Sequence, residues 1–166
     1  LIGEAFNTYI VAQKGESIFL IDKHAAHERI LYNKLKESHV VESQSLLVPL
    51  TVKLIGDEYT AAINNITLLA DYGFEVEDFG NGTVIVRSCP MDLDNCEIIP
   101  LITEIAEYLT KNRRDITNEH LDWIYHNVAC RSAIKAGDSN SDAELLVLAK
   151  QVVNDNEVRF CPHGRP

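Results

Sequence analysis

The stretch that most limits how this chain can fold lies between residues 8 and 36. "TYIVAQKGESIFLID", residues 8 to 22, reads as two strands around a Lys14-Gly15-Glu16 turn, and the residues from about Ala25 to Lys36 read as a helix. Asp22 ends the second strand and also stands where a helix N-cap belongs. A hairpin that runs straight into a helix commits this part of the chain to mixed α and β structure.

The rest continues in that manner. After a looser "SHVVESQS", the extended "LLVPLTVKLI" leads to a predicted helix opened by Asp57, with Ala62, Ile63, Ile66 and Leu69 inward and Gly73 as its stop. "GFEVEDFGNGTVIVRS" is a hairpin turning at Gly80-Asn81-Gly82. Two helices follow, one placing Leu101, Ile102, Ile105 and Leu109 on one face, the other running from about Glu119 to Ala136 and stopped by Gly137. Ser141 and Glu144 form a capping box for the last helix, "DAELLVLAKQVV". The expected fold class is α+β, with no internal repeat and no low-complexity segment.

With 166 residues, 46% of them hydrophobic, the chain can bury one core, divided at most into two lobes. No window approaches the roughly 18 consecutive apolar residues of a membrane span. The start, "LIGEAFNTYI", has no initiating Met and no charged signal-peptide n-region, which reads as a piece cut from a longer protein. Cys89, Cys96, Cys130 and Cys161 are too sparse for a disulfide scaffold; they point to a reducing, cytoplasmic compartment and leave metal binding open. A net charge of -10 repels a phosphate backbone, so any action on nucleic acid requires delivery by something else.

The chemistry concentrates in "DKHAAHERI", where Asp22, His24, His27 and Glu28 fall within seven residues. It nearly matches the inverted zincin pattern H-x-x-E-H, with the last two letters exchanged. At about 100° per residue, His24, Glu28, Leu31 and Leu35 share a narrow inward arc, while His27 lies about 60° off it. The zincin reading therefore loses its second helix ligand. Two readings stay open on these residues alone: a metal or catalytic site, or an N-cap (Asp22) beside a hydrogen-bonded core histidine (His24) and a Glu28 paired to an arginine. Cys130 on the following helix, and Cys161 with His163 in "FCPHGRP", add sulfur and nitrogen donors, and with His24 and Glu28 make a mixed set of the type zinc takes.

"DKHAAHERI", "ACRSAIKAG" and "CPHGRP", in this order and separation, resemble the signature motifs of the C-terminal domain of the MutL mismatch repair family, in its endonuclease-bearing branch. The resemblance runs from "GEAFNTYIV" to Pro166. It implies a homodimerisation domain that nicks duplex DNA with metal ions, tethered to an N-terminal ATPase and working with the mismatch-recognition protein MutS. It assigns Asp22, His24 and Glu28 to the acidic helix motif, with Asp22 needed for cleavage, and His24, Glu28, Cys130, Cys161 and His163 to metal binding. The lobes then expected are residues 1–42 with 128–166, dimerising and metal-bearing, and an inserted regulatory lobe over 43–127.

Two positions depart from the family motif. Lys23 stands where Gln is usual, a charge expected either to lower metal affinity or to steady a phosphate. Asn33 replaces an acid, but lies about 180° around the helix from His24 and so costs support rather than a ligand. In the implied reaction the thiolates favour Zn²⁺, structural or regulatory, while Asp22 suits Mn²⁺ or Mg²⁺ and Glu28 bridges or assists. Arg165 is the candidate phosphate contact, against a plain surface ion pair. Cys89, before Pro90 at the hairpin's close, and Cys96, in a polar loop, read as structural. Trp123, Tyr125 and His126 read as core and interface, with His126 one turn from Cys130.

"QSLLVPL", residues 44 to 50, carries a further resemblance. Gln44, Leu46, Leu47 and Pro49 are similar to the Q-x-L-L-x-P peptide by which bacterial repair proteins dock on the replication sliding clamp. The competing reading makes Leu46 to Val48 the start of a core strand. Three functional classes remain: a clamp-stimulated nicking endonuclease, a non-catalytic dimerisation domain with structural zinc, and a metallopeptidase, which the failed zincin spacing disfavours.

Overall fold

The computed structural model describes residues 1–38, 41–91, 93–111, 118–155 and 158. They form an α+β chain of two compact units, Leu1–Lys34 with Ala133–Pro166, and Leu35–Ser132.

The first unit is built on an antiparallel sheet, β1 (Gly3–Ala5), β2 (Tyr9–Lys14) and β3 (Ser17–Asp22), in the order β1-β2-β3. The expected hairpin is present, with Lys14 opposite Ser17 and Gly15 at φ 60. The short β1 was not expected; it folds back through Phe6 and Asn7, both at positive φ, and the Thr8 amide closes the turn on the Ala5 carbonyl. Period-two alternation sends Ile10, Ala12 and Ile21 into a core completed by Ala26, Leu145, Leu148, Ala149 and Val152. Ala26 belongs to helix α1 (Lys23–Ser38), whose residues Leu31 and Leu35, expected inward, are only half-buried. Leu145, Leu148, Ala149 and Val152 lie on helix α6 (Asp142–Asn154) at helical spacing, so one stripe meets the sheet, and Val158 beyond the helix joins the same core. The expected capping box opens α6: the Glu144 amide donates to Ser141 Oγ, and the Ser141 amide to Glu144 Oε2 at 2.8 Å.

The second unit has the sheet order β4-β6-β5, from β4 (Ser43–Lys53), β5 (Glu75–Gly80) and β6 (Thr83–Pro90), all antiparallel. Gly80 pairs with Thr83, and the two residues between them, Asn81 and Gly82, have φ 52 and 75, the double positive φ of a type I′ hairpin turn. Helix α4 (Asn95–Lys111) buries Ile98, Leu101, Ile102, Ile105 and Leu109 along one stripe.

Several elements differ from expectation. The helix expected after Asp57 is two, α2 (Asp57–Asn64) and α3 (Ile66–Asp71), broken at Asn65, whose side chain donates to the Ala61 carbonyl; its cap position is Gly56. Ile63 and Ile66, next to this break, are half-buried, while Ala62 and Leu69 are buried. Cys96 lies in the first turn of α4, not in a loop. Helix α5 (Asn118–Ser132) stops before Ala133 instead of reaching Ala136, because the backbone of Ile134 is bonded elsewhere, as described below.

Candidate metal centre and its supports

The N-terminal turn of α1 gathers the polar residues of "DKHAAHERI". Asp22 is the cap: its Oδ1 accepts the Ala25 amide at 3.0 Å, satisfying one of the free donors of the first turn. One turn apart on the same helix, His24 Nε2 lies 3.5 Å from Glu28 Oε2. Glu28 is 3% exposed, a carboxylate in surroundings that charge enters only with partners.

The protons on both imidazoles follow from one residue. His24 Nδ1 is 2.8 Å from the carbonyl oxygen of Ile134, and since a carbonyl only accepts, Nδ1 carries a hydrogen and Nε2 is the nitrogen left facing Glu28. The Ile134 amide donates to His27 Nδ1 at 3.0 Å, so that nitrogen is the acceptor and His27 turns away from the His24–Glu28 line. An imidazole with one nitrogen tied to a backbone carbonyl and the other beside a buried carboxylate is the arrangement found around metal-ligating histidines, and the donor set fits a divalent ion.

Lys23 corrects the expectation made for it. Its side chain is 0% exposed and its ammonium donates to Glu4 Oε1 at 2.6 Å, to the Asp138 carbonyl at 2.5 Å and to Asn140 Oδ1 at 3.1 Å. All three donors are used, so it steadies no phosphate. Neither Glu4 nor the 138–140 segment had been singled out in the sequence; only the Gly, Asp and Asn content of "AIKAGDSN" marked a shaped loop.

Cys130 sits in the last turn of α5, held within its own unit by Arg131, which pairs with Glu97 and, at 2.6 Å, with Glu104 of α4. On the same helices Tyr108 and Trp123 stack at 4.1 Å between centroids, and Tyr125 meets Tyr72 edge-on at 5.6 Å, in keeping with a packing role. Cys161, His163 and Arg165 lie outside the described residues. Cys89 is fully buried in β6; burial pushes its thiol above the ordinary range and the Gln44 amide partly offsets this.

The "QSLLVPL" segment opens strand β4, as the competing reading had it, but Leu47 and Val48 stay out of the core. Pairing of β4 with β6 passes from Ser45 opposite Ser88 to Leu50 opposite Val86, so Leu46 to Pro49 bulge out of the ladder. Leu47 is fully exposed and Val48 is 73% exposed. Gln44 is turned to its own unit, its amide reaching the carbonyls of Pro90 and Leu93, both at 3.4 Å.

The outer face of the first sheet is the other unusual surface. Opposite the core-facing residues, β3 presents Ile18 and Leu20, 71% and 67% exposed, and Leu20 pairs with Val11. Ile2 and Phe6 are exposed nearby in sequence. Among the described residues no helix is long and apolar enough to cross a membrane.

These features define a class: an α+β interaction domain with a bare apolar sheet face and a helix-borne imidazole–carboxylate pair. The chain belongs to the family of MutL C-terminal dimerisation domains, whose model matches residues 2–140. It is 40% identical over 99% of its length to the DNA mismatch repair protein MutL of Heliobacterium modesticaldum, covering 26% of that protein. It is 34% identical over its whole length to proteins of the same name from Clostridium botulinum and Caldanaerobacter subterraneus subsp. tengcongensis, covering 25% and 28% of them. The chain thus spans about a quarter of the length of these relatives.

Proposed function

We propose that this chain is the homodimerising, metal-dependent nicking domain of a DNA mismatch repair protein, hydrolysing a phosphodiester in one strand of duplex DNA. The observation that carries the reading is the His24–Glu28 pair, with the imidazole Nε2 directed at a buried carboxylate across 3.5 Å. Cys130, Cys161 and His163 complete the proposed donor set. Sulfur and nitrogen donors suit Zn²⁺, structural or regulatory; the carboxylates of Asp22 and Glu28 suit Mn²⁺ or Mg²⁺. Such an ion, when bound, supplies Lewis-acid stabilisation of the phosphate and a more acidic water. Asp22 spends one oxygen on the helix cap and keeps the other to orient that water, Glu28 assists from within the helix, and Arg165 contacts a phosphate oxygen.

The apolar outer face of the first sheet supports self-association, since Ile18 and Leu20 side by side on an open sheet gain most by meeting a second copy. An acidic domain also needs delivery to DNA. The bulged Leu46–Pro49 segment offers Leu47 as an anchor for the replication sliding clamp, with Gln44 acting from inside the unit to brace the segment rather than as a contact. The N-terminal ATPase of the same protein and MutS are the further partners of this reading.

The experiment is nicking of supercoiled plasmid with Mn²⁺, with Asp22→Asn as control. Conversion to open circle by the wild type and not by the variant is the expected result. A specific observation favours the second reading, a non-catalytic dimerisation domain with structural zinc: the Asp22 carboxylate already serves as a helix cap. Bound zinc without any nicking selects that reading.

A further inference from the structure

A lysine with no exposed surface persists only where its ammonium is fully hydrogen-bonded. The three acceptors around Lys23 are instructive in where they come from: Glu4 on β1, and Asp138 and Asn140 on the loop that joins α5 to α6. The same loop begins at Ile134, whose carbonyl takes the His24 Nδ1 hydrogen and whose amide is taken by His27. Between these two ends it closes on itself, the Lys135 amide donating to Asp138 Oδ2 and the Asp138 amide to the Lys135 carbonyl, and the Gly137 amide reaches Asn7. One short loop is thus fastened at its far end by the Lys23 ammonium and at its near end by the imidazoles of the same helical turn.

From this juxtaposition we propose that Lys23 is a positioning residue for His24. By holding Asp138 and Asn140 it fixes the loop, and through the loop the Ile134 carbonyl, which holds the hydrogen on Nδ1 and aims Nε2 at Glu28. Lys23 and His24 are consecutive at the start of α1, so their side chains leave the helix about 100° apart and grip the loop at separate points. A shifted carbonyl frees the ring to place its hydrogen on either nitrogen, and a ring protonated at Nε2 has no lone pair to offer there. The consequence for metal binding rests on the function proposed above; the positioning of the ring does not.

The test uses the 166-residue chain free of metal, at a pH high enough to keep the His24 ring neutral, with its tautomer read from its ring nitrogen resonances, and Zn²⁺ affinity measured separately by competition with a chromophoric chelator. Lys23→Met is expected to turn a single Nδ1-protonated form into a mixture and to weaken Zn²⁺ binding about tenfold, the usual effect of losing an outer-shell support. Asn140→Ala shifts both readings the same way by less. Glu4→Gln, which keeps the ammonium on the loop, lowers thermal stability and leaves the ring form unchanged. A purely structural Lys23 gives the opposite pattern: loss of stability in all three variants with an unaltered His24 ring, and that result overturns the inference. If Lys23→Met does not fold, Asn140→Ala decides alone, and an unchanged ring in it is equally fatal. A wild type that takes up no Zn²⁺ but whose ring form still follows Lys23 refutes the metal reading and leaves the positioning role standing.

Discussion

The carboxylate of Asp22 accepts the backbone amide of Ala25 at 3.0 Å, so the residue proposed to direct hydrolysis is also the cap of the helix that carries His24 and Glu28. The two roles separate by substitution. Asparagine caps a helix about as well as aspartate, whereas alanine forfeits the cap at a cost of about 1 kcal/mol. Asp22→Asn is therefore expected to match the wild type in chemical denaturation while its nicking rate falls about a hundredfold or more. Asp22→Ala is expected to lose both. Equal nicking by wild type and Asp22→Asn removes Asp22 from the chemistry.

The exposed pair Ile18 and Leu20 predicts how the chain associates. A single charge on the outer face, Leu20→Asp, leaves the core side of β3 untouched, because Ile21 and Phe19 alone face inward there. The wild type is expected to sediment as a dimer at micromolar concentration and Leu20→Asp as a folded monomer. A wild-type monomer at that concentration refutes the proposed interface.

Arg131 holds the end of α5 against α4 through Glu97 and Glu104, with its side chain only 20% exposed. Replacing it by methionine keeps much of the packing and removes both ion pairs. A loss of about 2 kcal/mol, the scale of charge-assisted hydrogen bonds, is expected in urea unfolding. A change below about 0.5 kcal/mol, the size of an ordinary surface substitution, counts against this anchoring.

Thiol reactivity separates Cys89 from Cys96. Burial raises the Cys89 thiol above its ordinary range, so its thiolate is scarce at neutral pH, and it has no exposed surface. Cys96 is exposed on α4. Iodoacetamide is expected to label Cys96 in the native protein and Cys89 only on unfolding. The sign of the pH effect follows: the folded state binds the Cys89 proton more tightly than the unfolded chain, so stability falls as pH rises above about 8.5, the unperturbed thiol value. A Cys89→Ala variant that shows the same alkaline loss as the wild type refutes this assignment.

What the sequence made legible was local. The Lys14–Ser17 hairpin, the Asn81-Gly82 turn and the Ser141 capping box are each written within a few residues, and each stands as read. What was not legible depends on partners far along the chain. The helix over "ACRSAIKAG" stops early because Ile134 is claimed by histidines 107 and 110 residues away. Lys23 looked like a free charge beside the site because the groups that bury it stand 19 residues before and 115 after. Helical spacing alone places His24 and Glu28 together, but the orientation of the His24 ring comes from Ile134, which carries no chemical signal of its own.

Leu46 to Pro49 show the same limit from the other side, and yield the last prediction. An apolar run beside a sheet reads as core, yet the ladder skips from Ser45 to Leu50 and turns Leu47 and Val48 outward. Removing an exposed side chain costs a fold little, so Leu47→Ala is expected to stay within about 0.5 kcal/mol of the wild type. Gln44 is different, since its amide bridges the carbonyls of Pro90 and Leu93 and lowers the Cys89 thiol toward its usual range. Gln44→Ala should therefore loosen the unit, and its effect on clamp docking would be confounded with that loss. The clean comparison is Leu47→Ala against wild type, in nicking with and without the cognate sliding clamp. Basal nicking unchanged and clamp stimulation lost is the expected outcome, with most of the wild-type effect due to tethering on DNA rather than to a tight contact. Equal stimulation of both proteins shows that the bulge is not the docking segment.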